Sequence, residues 1–270
     1  MIEITDKEFL LITDFIKSNY GIQFKEQKKT LLTSRLHNIL DEMGFSNFTQ
    51  YYEYMTHDKS GKAITNFVDK ITTNHTYFMR EAEHFNYLKN NVLPEIVPKI
   101  KNHDLRIWCA ASSTGEEPYT LAMLVDEFFG DEKALWDTKV LATDICASVL
   151  ETAQKGIYNN ISIEPLEKMW RLKYFNKIDI TNSKIIDRIQ NEVIFRKFNL
   201  MEPEFPFKKK FHIIFCRNVM IYFDAATKDR LIEKFYNSLE DGGYLFVGHS
   251  ESLNRATTEF KYVKPAIYRK

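Results

Sequence analysis

Glu116 and Glu117 follow a turn of small residues, Ala110 to Gly115, which follows the apolar run LRIWC. A strand, a tight turn and a helix in this order make the crevice where nucleotide-binding folds hold a phosphate on the helix N-terminus. Here no lysine–serine/threonine pair follows the glycine, which excludes a P-loop, and there is no G-x-G-x-x-G pyrophosphate turn. The positive end of a helix favours carboxylates. Glu116 and Glu117 are therefore expected to be ionised and to oppose a pyrophosphate. Farther on, Asp144 ends the run VLAT. A carboxylate there can accept hydrogen bonds from two ribose hydroxyls, and it can also cap the helix that follows.

These positions suit an adenosine whose far end is cationic rather than phosphorylated. S-adenosylmethionine has the ribose, the ammonium and the sulfonium that such a crevice would take. The fold that must position these residues is legible as alternation. LRIWCA, VLATD, FHIIFC and YLFVG are short apolar runs separated by helical stretches. Strands alternating with helices predict a doubly wound, mostly parallel α/β sheet. RLKYF, KIIDR and EVIFRKF read as three short amphipathic strands, a small antiparallel insert at about 158–197. FKYVKPAIYRK reads as a final hairpin.

Ahead of the sheet, residues 1 to 75 read as an all-α domain of four helices. Phe9, Ile12, Phe15 and Ile16 share a face before Gly21. Leu32, Leu36, Ile39, Leu40 and Met43 do so before Gly44. Ser46 is expected to cap a third helix, and Ile64, Phe67, Val68 and Ile71 turn inward on a fourth. The segment 76–90 is expected to be a linker that contributes to the cofactor site, with the main domain at 91–270.

The chain has 270 residues, with 37 basic and 37 acidic side chains, so its formal net charge is zero. That balance gives no global pull toward nucleic acid or anionic membrane. No apolar run approaches the roughly 20 residues that span a bilayer, and none reads as a secretory leader. Cys109, Cys146 and Cys216 form no C-x-x-C pair, and the histidines have no metal spacing, so no metal is expected. Buried thiols and a cytoplasmic location fit best.

The motifs TTNHTYFMRE (72–81), WCAASSTGEEPYTLAM (108–123), ATDI (142–145), FNL (198–200), FCRNVMIYF (215–223) and GGYLFVGHSESL (242–253) together resemble the CheR-type chemotaxis protein methyltransferases. Ala111 and Ser112 stand where glycine and cysteine often occur in that family. The resemblance implies a class I, Rossmann-like methyltransferase domain behind the helical domain. It implies transfer of a methyl group from S-adenosylmethionine to glutamate carboxylates of methyl-accepting chemotaxis receptors. The products would be glutamate 5-O-methyl esters and S-adenosylhomocysteine, and the partner the cytoplasmic helical domain of the receptor. No nucleic acid or membrane insertion is implied.

By the same resemblance Asn74, Thr76 and Arg80 come from the linker, and Arg80 lies near the transferred methyl. Glu117 holds the ammonium and Asp144 the ribose, while Asn199 and Leu200 border the adenine. Arg217 and Asn218 line the floor, and Tyr222 stands beside the reacting centre as a catalytic residue with Arg80. Each has a structural alternative: Arg80 pairing with Glu83 or His84, Asn74 as a helix cap, Arg217 in an ion pair, Tyr222 in the core. The basic residues Lys25, Lys28, Lys29 and Arg35 share one helix and are either a solvated face or, for Lys28, Lys29 and Arg35, a dock for acidic receptor helices. Methylation of nucleic acid or a small metabolite, cofactor sensing without turnover and, more weakly, a dinucleotide oxidoreductase are the rival functions.

Overall fold

A computed structural model describes residues 2–270. The N-terminal module comprises α1 (Asp6–Tyr20), α2 (Lys29–Met43), α3 (Phe48–His57) and α4 (Lys62–Ile71). Its core is made by Phe9, Ile12, Ile16, Leu32, Leu36, Phe48, Tyr51, Phe67 and their neighbours. Phe15 and Ile64 only border it, and Met43 is exposed. Thr5 and Glu8 cap α1 reciprocally, satisfying two otherwise orphaned donors. Glu8 also accepts from the Thr49 backbone at 2.9 Å, fastening α1 to α3. The third helix is capped by Asn47, not by Ser46: its side chain accepts from Gln50 N.

From Ala82 the segment expected as linker is already helix. α5 (Ala82–Tyr87) runs through a π-type turn at Leu88–Val92 into α6 (Leu93–Ile96). Phe85, Leu88, Val92 and Leu93 are buried against the sheet. The irregular connection is therefore confined to the residues between α4 and α5.

The remaining elements follow in order: β1 (Ile107–Cys109), α7 (Glu116–Phe129), β2 (Val140–Asp144), α8 (Ala147–Lys155), β3 (Ile157–Asn159), α9 (Lys168–Tyr174), β4 (Phe175–Lys177), β5 (Asn182–Ile185), α10 (Asp187–Gln190), β6 (Val193–Lys197), β7 (Phe211–Cys216), α11 (Ala225–Ser238), β8 (Leu239–Val247), β9 (Lys261–Lys264) and β10 (Ile267–Arg269). The main sheet has the order β6-β2-β1-β7-β8-β10-β9, parallel except for the last two strands. From β1 the chain winds outward through β2 to β6, then returns to the other side of β1 with β7. The strand order thus reverses between β1 and β7, and a ligand crevice opens at the carboxyl ends there.

Strand alternation divides the core. Ile107 and Cys109 face the side covered by α5–α7, while Trp108 faces the other. Trp108 is fully buried, and the rings of Phe198, Phe205, Phe207, Phe211 and Phe235 surround it. Its indole N–H donates to Thr143 Oγ1 at 2.9 Å, so the one polar atom of that ring is satisfied.

The insert differs from the expectation. The small antiparallel sheet is β3-β5-β4. RLKYF is mostly α9, with only Phe175 entering a strand. EVIFRKF supplies β6, which pairs parallel with β2 at the edge of the main sheet. Short amphipathic runs fit helical and strand periods alike, and alternation cannot say which sheet a strand joins. Tyr174 anchors the insert to α7: its hydroxyl lies 2.8 Å from Asp126 Oδ2 and 2.6 Å from Glu127 Oε1, sharing one proton between the two carboxylates.

His84, on α5, is 1% exposed and meets the rings of Phe246 and His249. Burial first, then the Arg217 charge, pulls its pKa down to about 3. An unfolded histidine titrates near about 6.5, so between these values the unfolded chain binds the extra proton, and stability falls as pH drops. Urea unfolding at pH 7.5 and 5.5 should show the native chain losing about 1.4 kcal/mol more than His84→Gln between the two. Equal losses would mean that the folded histidine titrates normally.

Candidate functional site

One cavity lies at the β1/β7 reversal. Its walls include Asn74, Thr76, Arg80, Glu117, Asp144, Asn199, Leu200, Arg217, Asn218 and Tyr222, so all ten predicted site residues meet in one place. Ala110, Ala111 and Ser113 supply the small-residue wall. Gly115 takes φ of +99°, and a β-carbon there would lie 2.7 Å from Tyr158 Oη, so the turn into α7 requires glycine on both counts.

Asp144 ends β2 and is 8% exposed. Its two oxygens accept from Ser113 N at 2.8 Å and Cys146 N at 3.0 Å. Burial pushes its pKa up, against the opposing pull of backbone donors at Cys146, Ser113 and Ile145. Each carboxylate oxygen retains acceptor capacity for a hydroxyl. The helix that follows is capped by another residue: Asp69 of α4 accepts from Ala147 N and Ser148 N at 3.0 and 3.1 Å.

The two glutamates of the turn part ways. Glu117 lines the cavity, accepting from Cys109 Sγ at 3.1 Å and Arg217 Nη1 at 2.7 Å. Glu116 points inward, is 7% exposed and accepts from Thr114 Oγ1 at 2.7 Å. Burial raises its pKa, contrary to the expectation of a readily ionised acid. Desolvation outweighs the helix terminus here, because one helix end stabilises a carboxylate by only about 1 kcal/mol.

Arg217, just past β7, is the buried cation of the site. It pairs with Glu117 and with Glu81 at 2.7 and 3.0 Å, donates to Arg80 O, and lies over the Phe85 ring. The structural ion pair and the cavity wall are the same residue. Its Nε–H is buried without an acceptor, and a ligand carboxylate entering the cavity would supply one. Asn218 takes φ of +58°, donates its N–H to Glu251 at 2.8 Å and its amide to Glu81 at 3.2 Å.

Arg80 donates to His75 O at 2.7 Å and lies beside the Tyr77 ring, rather than pairing with Glu83 or His84. The Asn74 amide reaches Thr72 Oγ1 and Cys146 Sγ, and its carbonyl accepts from Ser113 at 2.8 Å. Asn199 donates to Asn19 O at 2.8 Å and accepts from Met201 N, tying the cavity rim to the end of α1. Leu200 is buried and Tyr222 half-buried.

Sequence reasoning missed two contributors. Glu81, in the left-handed region at φ of +55°, binds both Arg217 and Asn218 and accepts from His249 N. Its place directly after Arg80 was the available signal. The roof was also missed: Tyr20, Ile22, Phe24, Lys28, Leu31 and Arg35 of the helical module line the same cavity. Of the basic set, Lys29 pairs with Asp6 at 2.5 Å. Arg35 is half-buried and donates to Ile71 O, Thr72 O and Thr73 Oγ1. Lys28 stands over the Tyr222 ring at 5.7 Å.

A carboxylate after β2 with capacity for two hydroxyls, apolar flanks at Ile145, Phe198 and Leu200, and an unpaired Arg217 N–H fit the ribose, adenine and carboxylate of S-adenosylmethionine. This fold and crevice define a class I, S-adenosylmethionine-dependent methyltransferase. Residues 74–268 match the family model described as CheR methyltransferase, SAM binding domain, and 7–72 match CheR methyltransferase, all-alpha domain. The chain belongs to the CheR methyltransferase family. It is 42% identical to the chemotaxis protein methyltransferase of Borreliella burgdorferi, across 100% of this chain and 96% of that one. It is 35% identical to a probable chemotaxis protein methyltransferase of Rhizobium etli, across 94% and 99%. Chemotaxis protein methyltransferase Cher2 of Pseudomonas putida is 33% identical, across 93% and 92%. Among the described residues no helix is long and apolar enough to cross a membrane.

Replacing Arg217 leaves Glu81 and Glu117 facing each other without their cation. Removing one member of a buried ion pair costs about 3–5 kcal/mol. Arg217→Met should lose that much in urea unfolding, and a double-mutant cycle with Glu81→Gln should show coupling above about 1 kcal/mol. Additive losses would dissolve the triad.

Proposed function

We propose that this methyltransferase esterifies glutamate side chains of chemotaxis receptors in the cytoplasm, with Arg80 and Tyr222 at the reacting end of the cavity. The observation that carries the reading is that Arg80, Tyr222 and Lys28 give the cavity partly exposed cationic and hydroxyl groups, while Asp144 and Arg217 in its wall are buried. Such groups suit an incoming carboxylate. Family membership and the chemotaxis relatives support the substrate class.

S-adenosylmethionine, when bound, supplies a sulfonium-activated methyl group. Asp144 would hold its ribose and Glu117 its ammonium. Ile145, Asn199 and Leu200 would border its adenine. Asn74, Thr76 and Asn218 line the same path, and Arg217 offers its unpaired Nε–H to the carboxylate.

A free glutamate carboxyl titrates near about 4.3, so the acceptor is already ionised at neutral pH and no general base is needed. The protein's contribution is alignment, which can supply about 7–11 kcal/mol in favourable cases. Arg80 is held by the His75 carbonyl and the Tyr77 ring, which limits its motion. A tight arginine–carboxylate pair would stabilise the ground state as well, since the attacking oxygen loses charge as the ester forms. Arg80 and Tyr222 therefore orient the carboxylate without exchanging a proton. The neutral net charge leaves recognition of the receptor to local groups such as Lys28.

The test is methyl transfer from labelled cofactor to receptor cytoplasmic fragments, scored as alkali-labile label with bulk RNA as control. Arg80→Ala and Tyr222→Phe should each reduce turnover about tenfold or more, because misplacement by even an ångström is costly in an aligned displacement. Wild-type turnover in both would refute their assignment, and label on RNA alone would refute the substrate. In calorimetry, Asp144→Ala should weaken S-adenosylhomocysteine about tenfold, from losing charge-assisted hydrogen bonds of about 1.5 kcal/mol.

A further inference from the structure

Beside the cofactor cavity, and linked to its wall through Glu81, the described residues hold one cluster of side chains able to ligate a metal. Glu81 Oε2, His84 and His249 offer donor atoms that all lie within 4.8 Å of one another. Glu81 Oε2 is 3.5 Å from His84 Nδ1 and 4.0 Å from His249 Nε2, and the latter is 3.4 Å from Glu83 Oε2. The two imidazole rings meet edge to face at 4.7 Å.

His84 lies at the buried end of the cluster. It is 1% exposed, yet neither of its ring nitrogens has a hydrogen-bond partner. A buried polar atom without a partner calls for an explanation, and an ion is one. Its Nδ1 is directed at Glu81, into the cluster. His249 and Glu83 lie on the solvent side, with side chains 42% and 75% exposed. An ion therefore has an entry path past groups free to rotate.

We propose that Glu81, His84, His249 and Glu83 form a binding site for a zinc-class divalent ion. Two imidazoles and two carboxylates are a donor set of the kind that zinc, cobalt and nickel accept. Zinc holds nitrogen and oxygen at about 2.0–2.2 Å in a tetrahedron, which places donors about 3.3 Å apart. The pairs at 3.4 and 3.5 Å match that spacing, while the pair at 4.0 Å and the separations of up to 4.8 Å within Glu81, His84 and His249 have to close as the exposed His249 and Glu83 side chains rotate onto the ion. The two carboxylates of the cluster, Glu81 and Glu83, offset the two cations that face it, Arg217 and Lys264, so an arriving ion meets no net positive charge.

The ion would join two parts of the chain that are far apart in sequence. Glu81, Glu83 and His84 belong to the segment that carries Arg80, while His249 follows β8. Binding would pin that segment to the sheet from outside the cavity. The site is separate from the cofactor's own groups except through Glu81, which also receives Arg217.

Zinc chloride is titrated calorimetrically into the full chain after chelator treatment, and cobalt(II) is followed by its visible absorption. One saturable equivalent is expected, with cobalt bands of four-coordinate intensity. His249→Ala should weaken zinc at least tenfold and Glu83→Gln at least threefold, while His57→Ala, on the distant α3, should bind as the native chain does. His249 and Glu83 are exposed, so neither variant threatens folding as a change at His84 would. Absence of saturable uptake by the native chain, or equal affinity in His249→Ala, would overturn the site.

Discussion

The buried Arg217 guanidinium, shared by Glu81 and Glu117, is the contact on which the site depends. Three separate stretches meet there: the segment before α5, the start of α7 and the loop after β7. Without it, two carboxylates would sit together in a poorly hydrated wall, so the three stretches are held by a shared need for neutralisation. A buried pair of this kind is weak evidence of net stability, since desolvation offsets much of the attraction. Its effect is on geometry. It fixes where Arg80 emerges and where the floor of the cavity lies.

Backbone conformation follows the same logic. Met79, Glu81, Ser113 and Asn218 all take positive φ. Each is uncommon for a residue with a side chain and persists only where surrounding contacts over-determine it. Those contacts are visible: Glu81 and Asn218 bond to each other, Ser113 is held by Asp144 and Asn74, and Glu251 takes the backbone N–H groups of Asn218 and Gly248. Glu251 is buried, and burial raises its pKa against those backbone donors. The loop ends are thus set by buried carboxylates, while the strands supply the frame that spaces them.

The helical module completes the cavity rather than standing apart from it. Gly21, at φ of +71°, packs so closely on Met201 that a β-carbon would lie 2.5 Å from its sulfur. Gln23 N donates to Tyr222 O at 2.8 Å, and Lys17 pairs with Asp224 at 3.0 Å. Tyr222 therefore has its backbone held by one module and its ring overlooked by Lys28 from the same module. Residues of the helical module thereby form part of the cavity's own wall.

The sequence by itself determined the alternation of strands and helices, most of the inward faces of the first, second and fourth N-terminal helices and the residues placed after each strand. Those features are local: periods of two and 3.6 residues, and small or acidic residues at strand ends, are written in consecutive positions. The resemblance then named ten cavity residues before any geometry was known. Tertiary structure alone decided that EVIFRKF joins the main sheet and that RLKYF is mostly helix, because short amphipathic runs carry no record of their partners. It alone turned Glu116 inward and Glu117 to Arg217, since adjacent helix positions point about 100° apart and their burial depends on what packs there. It also brought Glu81, His84 and His249 together across more than 160 positions. No local pattern encodes such a meeting, which exists only once the chain has closed on itself.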